Sequence, residues 1–359
     1  MKARLLELHV SPTGHDGNDG SRERPFATIQ KAADVVVPGT TVHVAPGLYP
    51  ELVWIVRGGT AEAPVRFVSD VKWRASIRPT LFESPVRIDV DHVVFEGFEV
   101  FGEYEYGIFV KGSHTQVLRN HIHGMAPHAW QVTNHGGAGI VTYRNDYLVD
   151  DVLIEGNLIH DIGPQVFCNF IHGIYIATGG NRVVNNIVYN VTGWGIHGWH
   201  AVMDSVVANN LVFACRRGGL VLGAGDAPGG VVTDRCTVVN NILFSNIGFG
   251  GVEMGETGLL DRYENNLVFE NTKKAFSLQN GLVDIGTLEV DPGFVDYHQS
   301  GRGDYHLRAG SPCIGAGTSL EAPERDFDGA LRKPGSVDIG PFAYFADNEA
   351  SDRTKGDRP

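Results

Sequence analysis

Hydrophobic residues in this chain come as short runs, not as long periodic stretches. Six of them open with Gly followed by Ile, Leu or Val: Gly107-Ile108-Phe109-Val110, Gly139-Ile140-Val141-Thr142, Gly173-Ile174-Tyr175-Ile176, Gly195-Ile196-His197-Gly198, Gly219-Leu220-Val221-Leu222 and Gly251-Val252-Glu253-Met254. A weaker copy follows at Ala275-Phe276-Ser277-Leu278. A second kind of run opens with Asn, at Asn120, Asn157, Asn186, Asn210, Asn241 and Asn266, and in the last four another Asn stands just before it. A third, β-rich run lies upstream of these, as in Val152-Leu153-Ile154, Val183-Val184, Val206-Val207 and Thr237-Val238-Val239. The closest copies are 22 to 24 residues apart and the others are lengthened by loops. Three strands in that space, none long enough for a helix, predict a parallel β-solenoid: one unit stacked many times. The Leu-x-x-Leu-x-Leu signature of leucine-rich repeats is absent. Asn tolerates the left-handed backbone of a tight bend, and stacked amides can bond one another coil after coil.

A solenoid needs its ends covered, because open strand edges invite aggregation. Residues Pro25 to Val36 carry apolar positions at helical spacing with Pro in the first turn, which predicts an amphipathic helix over the first coil. The organisation expected is one domain over residues 1–346, with an N-terminal cap at 1–40, coils over about 41–281 and an irregular Pro- and Gly-rich cap at 282–346 packed on the last coils. The polar tail 347–359 is expected to be disordered.

Charge narrows the partners. A net charge of −13 argues against a general nucleic-acid or anionic-membrane binder, so an anionic substrate has to be met by locally placed cations. No run of 18 apolar residues offers a transmembrane helix. The first residues lack the apolar stretch of a signal peptide, which leaves a cytoplasmic protein or a trimmed leader. Cys168, Cys215, Cys236 and Cys313 lack CxxC spacing and are expected as free buried thiols.

Three segments carry a family resemblance: Val10-Ser11-Pro12-Thr13-Gly14-His15-Asp16-Gly17-Asn18-Asp19-Gly20, then Pro25-Phe26-Ala27-Thr28-Ile29-Gln30-Lys31-Ala32, then Pro46-Gly47-Leu48-Tyr49. Together they resemble the start of right-handed parallel β-helix proteins of the pectate-lyase-like superfamily. Asp291-Pro292-Gly293-Phe294, Ser311-Pro312-Cys313-Ile314-Gly315-Ala316-Gly317 and Asp338-Ile339-Gly340 resemble the C-terminal segment of bacterial secreted members. The resemblance implies an all-β, right-handed parallel β-helix and an extracellular or periplasmic setting. It also implies a sugar polymer as partner, handled by a lyase, a glycosidase or a tail-spike-like binder; fold alone does not choose among them. In such helices the working face is the strand that here begins with Gly-Ile.

Side chains alternate along a strand. With the residue after Gly pointing inward, the outward positions are Tyr106, Phe109 and Lys111; Ala138, Val141 and Tyr143; His172, Tyr175 and Ala177; Trp194, His197 and Trp199, with His200 beside them; then Gly218, Val221 and Gly223; then Gly250, Glu253 and Gly255; then Lys274, Ser277 and Gln279. Aromatic rings beside polar groups suit a sugar, whose C–H faces stack and whose hydroxyls need partners. The loops 124–137 and 161–171 run into this strand and bring His128, Trp130 and His135 nearby.

The chemistry expected is β-elimination from a uronic-acid-containing polysaccharide. His172, Tyr175 and His197 would supply base and acid, and Arg217 would meet the carboxylate, chosen from Lys111, Arg144, Arg182, Arg216 and Arg217. Substrate contacts are expected from Tyr106, Lys111, Trp130, His135, Tyr143, Trp194, Trp199, His200 and Glu253. Two alternatives stand beside it: a glycoside hydrolase using Glu253 and Asp226, and a non-catalytic glycan-binding module. No cofactor is required. Many lyases of this fold use Ca²⁺ held by several carboxylates, and this face lacks such a cluster. A divalent ion on His172, His197 and His200 is a further alternative, whereas His121, His123 and His160 fall on a different side and read as structural.

Overall fold

The computed structural model describes residues 6–80, 83–126, 136–164, 168–227 and 229–346. Its strands form three parallel sheets of ten, nine and nine strands, and the chain visits each sheet once per coil. The first sheet runs from Leu6–Val10 to Arg262–Glu264, the second from Gly47–Tyr49 to Leu267–Phe269, and the third from Val53–Ile55 to Phe276–Ser277. This is the all-β solenoid that the short runs predict. Val and Ile dominate because a β-branched side chain packs well on a pleated surface.

Register builds the core. In the third sheet Ile108, Ile140, Ile174, Ile196 and Leu220 are paired coil to coil, and all are fully buried. Each such side chain contributes about 1.5–3 kcal/mol through the apolar surface it removes from water. The bend between the first and second sheets splits two jobs between adjacent residues. Asn120, Asn157, Asn186, Asn210, Asn241 and Asn266 form the ladder, each Nδ2 donating to the next Oδ1 at 2.9–3.1 Å. The residue before takes the left-handed backbone, with φ of 50–57° at Asn185, Asn209, Asn240 and Asn265 and 67° at Gly156.

The N-terminal helix is shorter than its apolar spacing suggests. It spans Ile29–Ala33 and is capped by Thr28, whose hydroxyl accepts from the Lys31 amide, while Glu51 takes the Ile29 and Gln30 amides at 2.9 Å each. Pro25 is outside it, because Phe26 donates its amide to His9 and bridges Val10 as extended backbone. Ile29, Ala32 and Ala33 are buried in the core at the start of the stack.

The C-terminal segment departs further from expectation. It does not simply close the last coil. Phe294, Tyr305, Phe327 and Phe342 pack with Tyr189, Phe213 and Phe244 on the outer face of the second sheet. Arg332 Nη2 donates to Asn185 Oδ1 at 2.9 Å, and Asn209 Nδ2 to the Asp338 and Gly340 carbonyls at 3.0 Å. The segment reaches back to Lys72, whose ammonium lies 5.1 Å from the Phe327 ring centre. The expected disordered tail, 347–359, lies outside the described residues. All four cysteines are free and buried.

Candidate active-site face

The outward columns of the third sheet follow from the same register. One column is Tyr106, Ala138, His172, Trp194, Gly218 and Phe249. Its neighbour is Phe109, Val141, Tyr175, His197, Val221 and Val252. Strand pairing thus sets Tyr175 directly beside His197, and the two ring centres are 5.2 Å apart. His172 completes the group, 4.1 Å from His197 and 5.0 Å from Tyr175 between ring centres. His197 Nδ1 sits 3.0 Å from His172 Nε2, so one imidazole donates to the other.

Burial sets their protonation. It lowers His172 to about 3, with a smaller push from the Arg217 cation. Burial also holds His197 well below the usual imidazole value, reinforced by His172, His200 and Arg217. The Tyr175 phenol moves the other way, raised first by burial and then by Asp226. Two neutral imidazoles, each with one bare nitrogen, therefore face a phenol that keeps its proton.

Around this group lie His200, Tyr143 and Tyr147. His200 Nδ1 bonds Asp226 Oδ1 at 2.6 Å, and its ring centre is 5.1 Å from Tyr147 and 6.1 Å from both Tyr143 and Tyr175. Trp199 packs edge-on against His197 at 5.7 Å. A Cβ on Gly223 would come within 2.1 Å of the Met254 carbonyl oxygen and 2.5 Å of this indole, and one on Gly255, at φ 70°, within 2.0 Å of the Ala224 carbonyl oxygen, which accounts for glycine at both positions. Upstream, Tyr106 and Phe109 are in contact at 5.4 Å, and the Lys111 ammonium lies 5.0 Å from the Phe109 ring centre.

Other expected site residues stand elsewhere. Trp194 is only 2% exposed, because Val221, Val252, Phe249 and Met254 close over it and the Arg217 guanidinium lies 5.4 Å from its ring. It packs and does not line a subsite. Arg217 itself stays beside the imidazoles, where its charge opposes their protonation, and it donates to Asn169. Glu253 is not outward: it pairs with Leu222 in the inward column and is 3% exposed. Its carboxylate accepts from the Tyr263 hydroxyl at 3.0 Å and the Gln279 amide at 2.8 Å. That placement removes the Glu253–Asp226 pair required by the hydrolase alternative. Arg182 bonds Glu321 from the first sheet, away from this face, and Arg144 pairs with Asp146 at 2.7 Å. His128, Trp130 and His135 lie outside the described residues.

Two features were missed in the sequence. Trp54 and Arg87 extend the outward column upstream, being paired with each other and then with Phe109. Their strands lack the Gly-Ile opening, so the repeat does not flag them. Tyr147, which touches His200, sits in a turn at φ 56° that no repeat marks.

His200 turns to Asp226, so the three groove histidines do not converge on one ion. Among the described residues, the set of His, Cys, Asp and Glu side chains close enough to share an ion is Glu99, His121 and His123, on another sheet. No described helix is long and apolar enough to cross a membrane.

The family described as "Right handed beta helix region" matches residues 88–282, and one described as "Protein of unknown function (DUF1565)" matches 12–53. The uncharacterized protein YwoF of Bacillus subtilis (strain 168) is 29% identical over 204 residues, 52% of this chain and 44% of that protein. The match thus spans less than half the length of that relative. The crystal structure of pectate lyase Pel9A superposes with a TM-score of 0.62 at 15% identity, over 95% of this chain and 96% of that one. A glycoside hydrolase structure gives 0.56 at 11% identity, over 79% and 96%. At these identities the likeness is one of fold.

Proposed function

The chain belongs to the right-handed β-helix family, and from that premise we propose that it is a polysaccharide lyase cleaving a uronic-acid-containing glycan by β-elimination. The observation that carries the reading is the His172, Tyr175 and His197 group, where a low-pKa imidazole pair meets a high-pKa phenol on an outward face. Elimination needs one group without a proton and one with it. His197 takes the C5 proton, the C5–H electrons become the C4–C5 double bond, and the C4–O bond breaks with its electrons. Tyr175 gives its proton to the departing oxygen. His172 holds the His197 ring. Arg217 and Lys111 are the cations that offset the substrate carboxylate, which makes the C5 proton easier to remove. Trp199, Tyr106 and Phe109 supply ring faces for the sugar, and a polymeric substrate places the enzyme outside the cytoplasm.

The test is incubation with pectate, alginate and glycosaminoglycans while following the ultraviolet absorbance of an unsaturated uronate. Growth of that absorbance is the expected result. Reducing ends appearing without it would replace elimination by hydrolysis. Glycan binding without any turnover, equal in the parent and in His197→Ala, would make the protein a binding module.

A further inference from the structure

We propose that the outer face of the second sheet holds one divalent transition-metal ion of the zinc class, bound by Glu99, His121 and His123. Two successive coils build the set: His121 pairs with Glu99 in register, and His123 follows on the same outward side of its strand. Glu99 Oε1 lies 3.1 Å from His123 Nε2 and 3.9 Å from His121 Nδ1. Tetrahedral bonds of about 2.1 Å put ligand atoms about 3.4 Å apart, between the two spacings observed.

The hydrogen bonds behind these ligands fix which nitrogen is bare. Asp161 Oδ2 accepts from His160 Nδ1 at 2.7 Å, which leaves His160 Nε2 as an acceptor. His160 Nε2 is 2.7 Å from His121 Nε2, and with a neutral His160 it is His121 that donates there. Its Nδ1 is then a lone pair aimed at a carboxylate with no proton between them. A cation resolves that confrontation, and an Asp–His–His chain behind a metal-bound imidazole is the outer-shell support such ligands use. The other Glu99 oxygen accepts from Ser76 at 2.5 Å, which orients the carboxylate. Two imidazoles and one carboxylate are a borderline-soft set that suits Zn²⁺, Co²⁺ or Ni²⁺ better than Ca²⁺, and they leave a coordination position open. The ligand side chains are 19–25% exposed, so an ion can reach them.

The experiment uses the full chain, stripped with a chelator, and titrates it with ZnCl₂ by calorimetry and with Co²⁺ by its visible absorption bands. We expect saturable uptake that Glu99→Gln and His123→Ala each weaken by about tenfold or more, and that His160→Ala weakens by about 10–100-fold. His197→Ala should leave it unchanged. Zn²⁺ should raise the melting temperature of the parent and not that of Glu99→Gln, a variant that keeps the shape of the site. Uptake that is absent, equal in parent and Glu99→Gln, or lost in His197→Ala but not in His123→Ala overturns the site.

Discussion

The upstream and downstream halves of the third sheet are built by one repeat yet present opposite surfaces. From Tyr106 to Trp199 the outward columns carry imidazoles, phenols and two indoles, Trp194 and Trp199. From Gly218 to Met254 they carry Val221, Phe249, Val252 and Met254, a closed apolar patch over Trp194. The change lies in the side chains that one continuous register presents, Val221 and Val252 standing where Tyr175 and His197 stand upstream. In a β-strand a shift of one residue exchanges the faces. At Phe249–Gly255 the kept register puts Val252 outward and Glu253 in the core. Chemistry is thereby confined to the coils that carry His172, Tyr175 and His197.

That contrast can be broken at its strongest point first. Under the lyase reading, His197→Ala and Tyr175→Phe each lower kcat by about 10²–10⁴-fold, the usual share of a positioned acid or base, measured as unsaturated product with circular dichroism confirming the fold. The pH profile sharpens the assignment. Because burial holds His197 well below 6.5, the acid limb of kcat/KM should fall well below pH 6.5. A limb near that value would move the base elsewhere.

The two tryptophans should separate next. Trp194→Ala, in the packed half, is expected to cost about 3–5 kcal/mol in urea unfolding, whereas Trp199→Ala should raise KM severalfold with little change in midpoint. Glu253→Ala strands the Tyr263 hydroxyl and the Gln279 amide, and should cost about 1–3 kcal/mol of stability while kcat stays within about twofold, a barrier change of about 0.4 kcal/mol. Loss of turnover with stability intact would put Glu253 back on the working face.

The smallest effect is a slope. Burial, with the charge of Glu253, raises Asp261 from 3.8 to about 6, against the pull of the Cys236 amide. The folded state therefore binds more protons than the unfolded one in that window, so stability falls as pH rises from about 4 to about 6. Asp261→Asn keeps an acceptor for the Cys236 amide and should flatten that slope in unfolding curves taken across the window.

Most of the architecture was legible because it repeats. Asn at the bend and Ile after Gly recur with little ambiguity, and Tyr175 beside His197 followed from counting along copies. The error at Glu253 has a local cause: Gly250 and Gly251 are adjacent, and either can be taken as the repeat glycine. Register selects Gly250, since Gly219 and Gly250 occupy equivalent places. Gly251 then faces inward against Phe276, where a Cβ would come within 2.4 Å of its ring. Composition cannot show such a choice, because both glycines fit a strand that lacks side-chain information at that point. Trp194 was misread for a related reason. Alternation reports which way a side chain points and not what closes over it, and Val252 and Met254 come from a strand two coils away. The path of the C-terminal segment was invisible as well, since its contacts with Asn185 and Asn209 join residues more than 100 apart in the chain.

That clasp also orders events in time. The coils carrying Tyr189, Phe213 and Phe244 are translated before Phe294 and Tyr305, so a nascent solenoid can stack while one flank stays greasy and its bend amides lack their final acceptors. During that interval the bare aromatic strip is open to another unfinished copy, and ribosome stalling just before residue 294 would be the moment of greatest risk of co-aggregation.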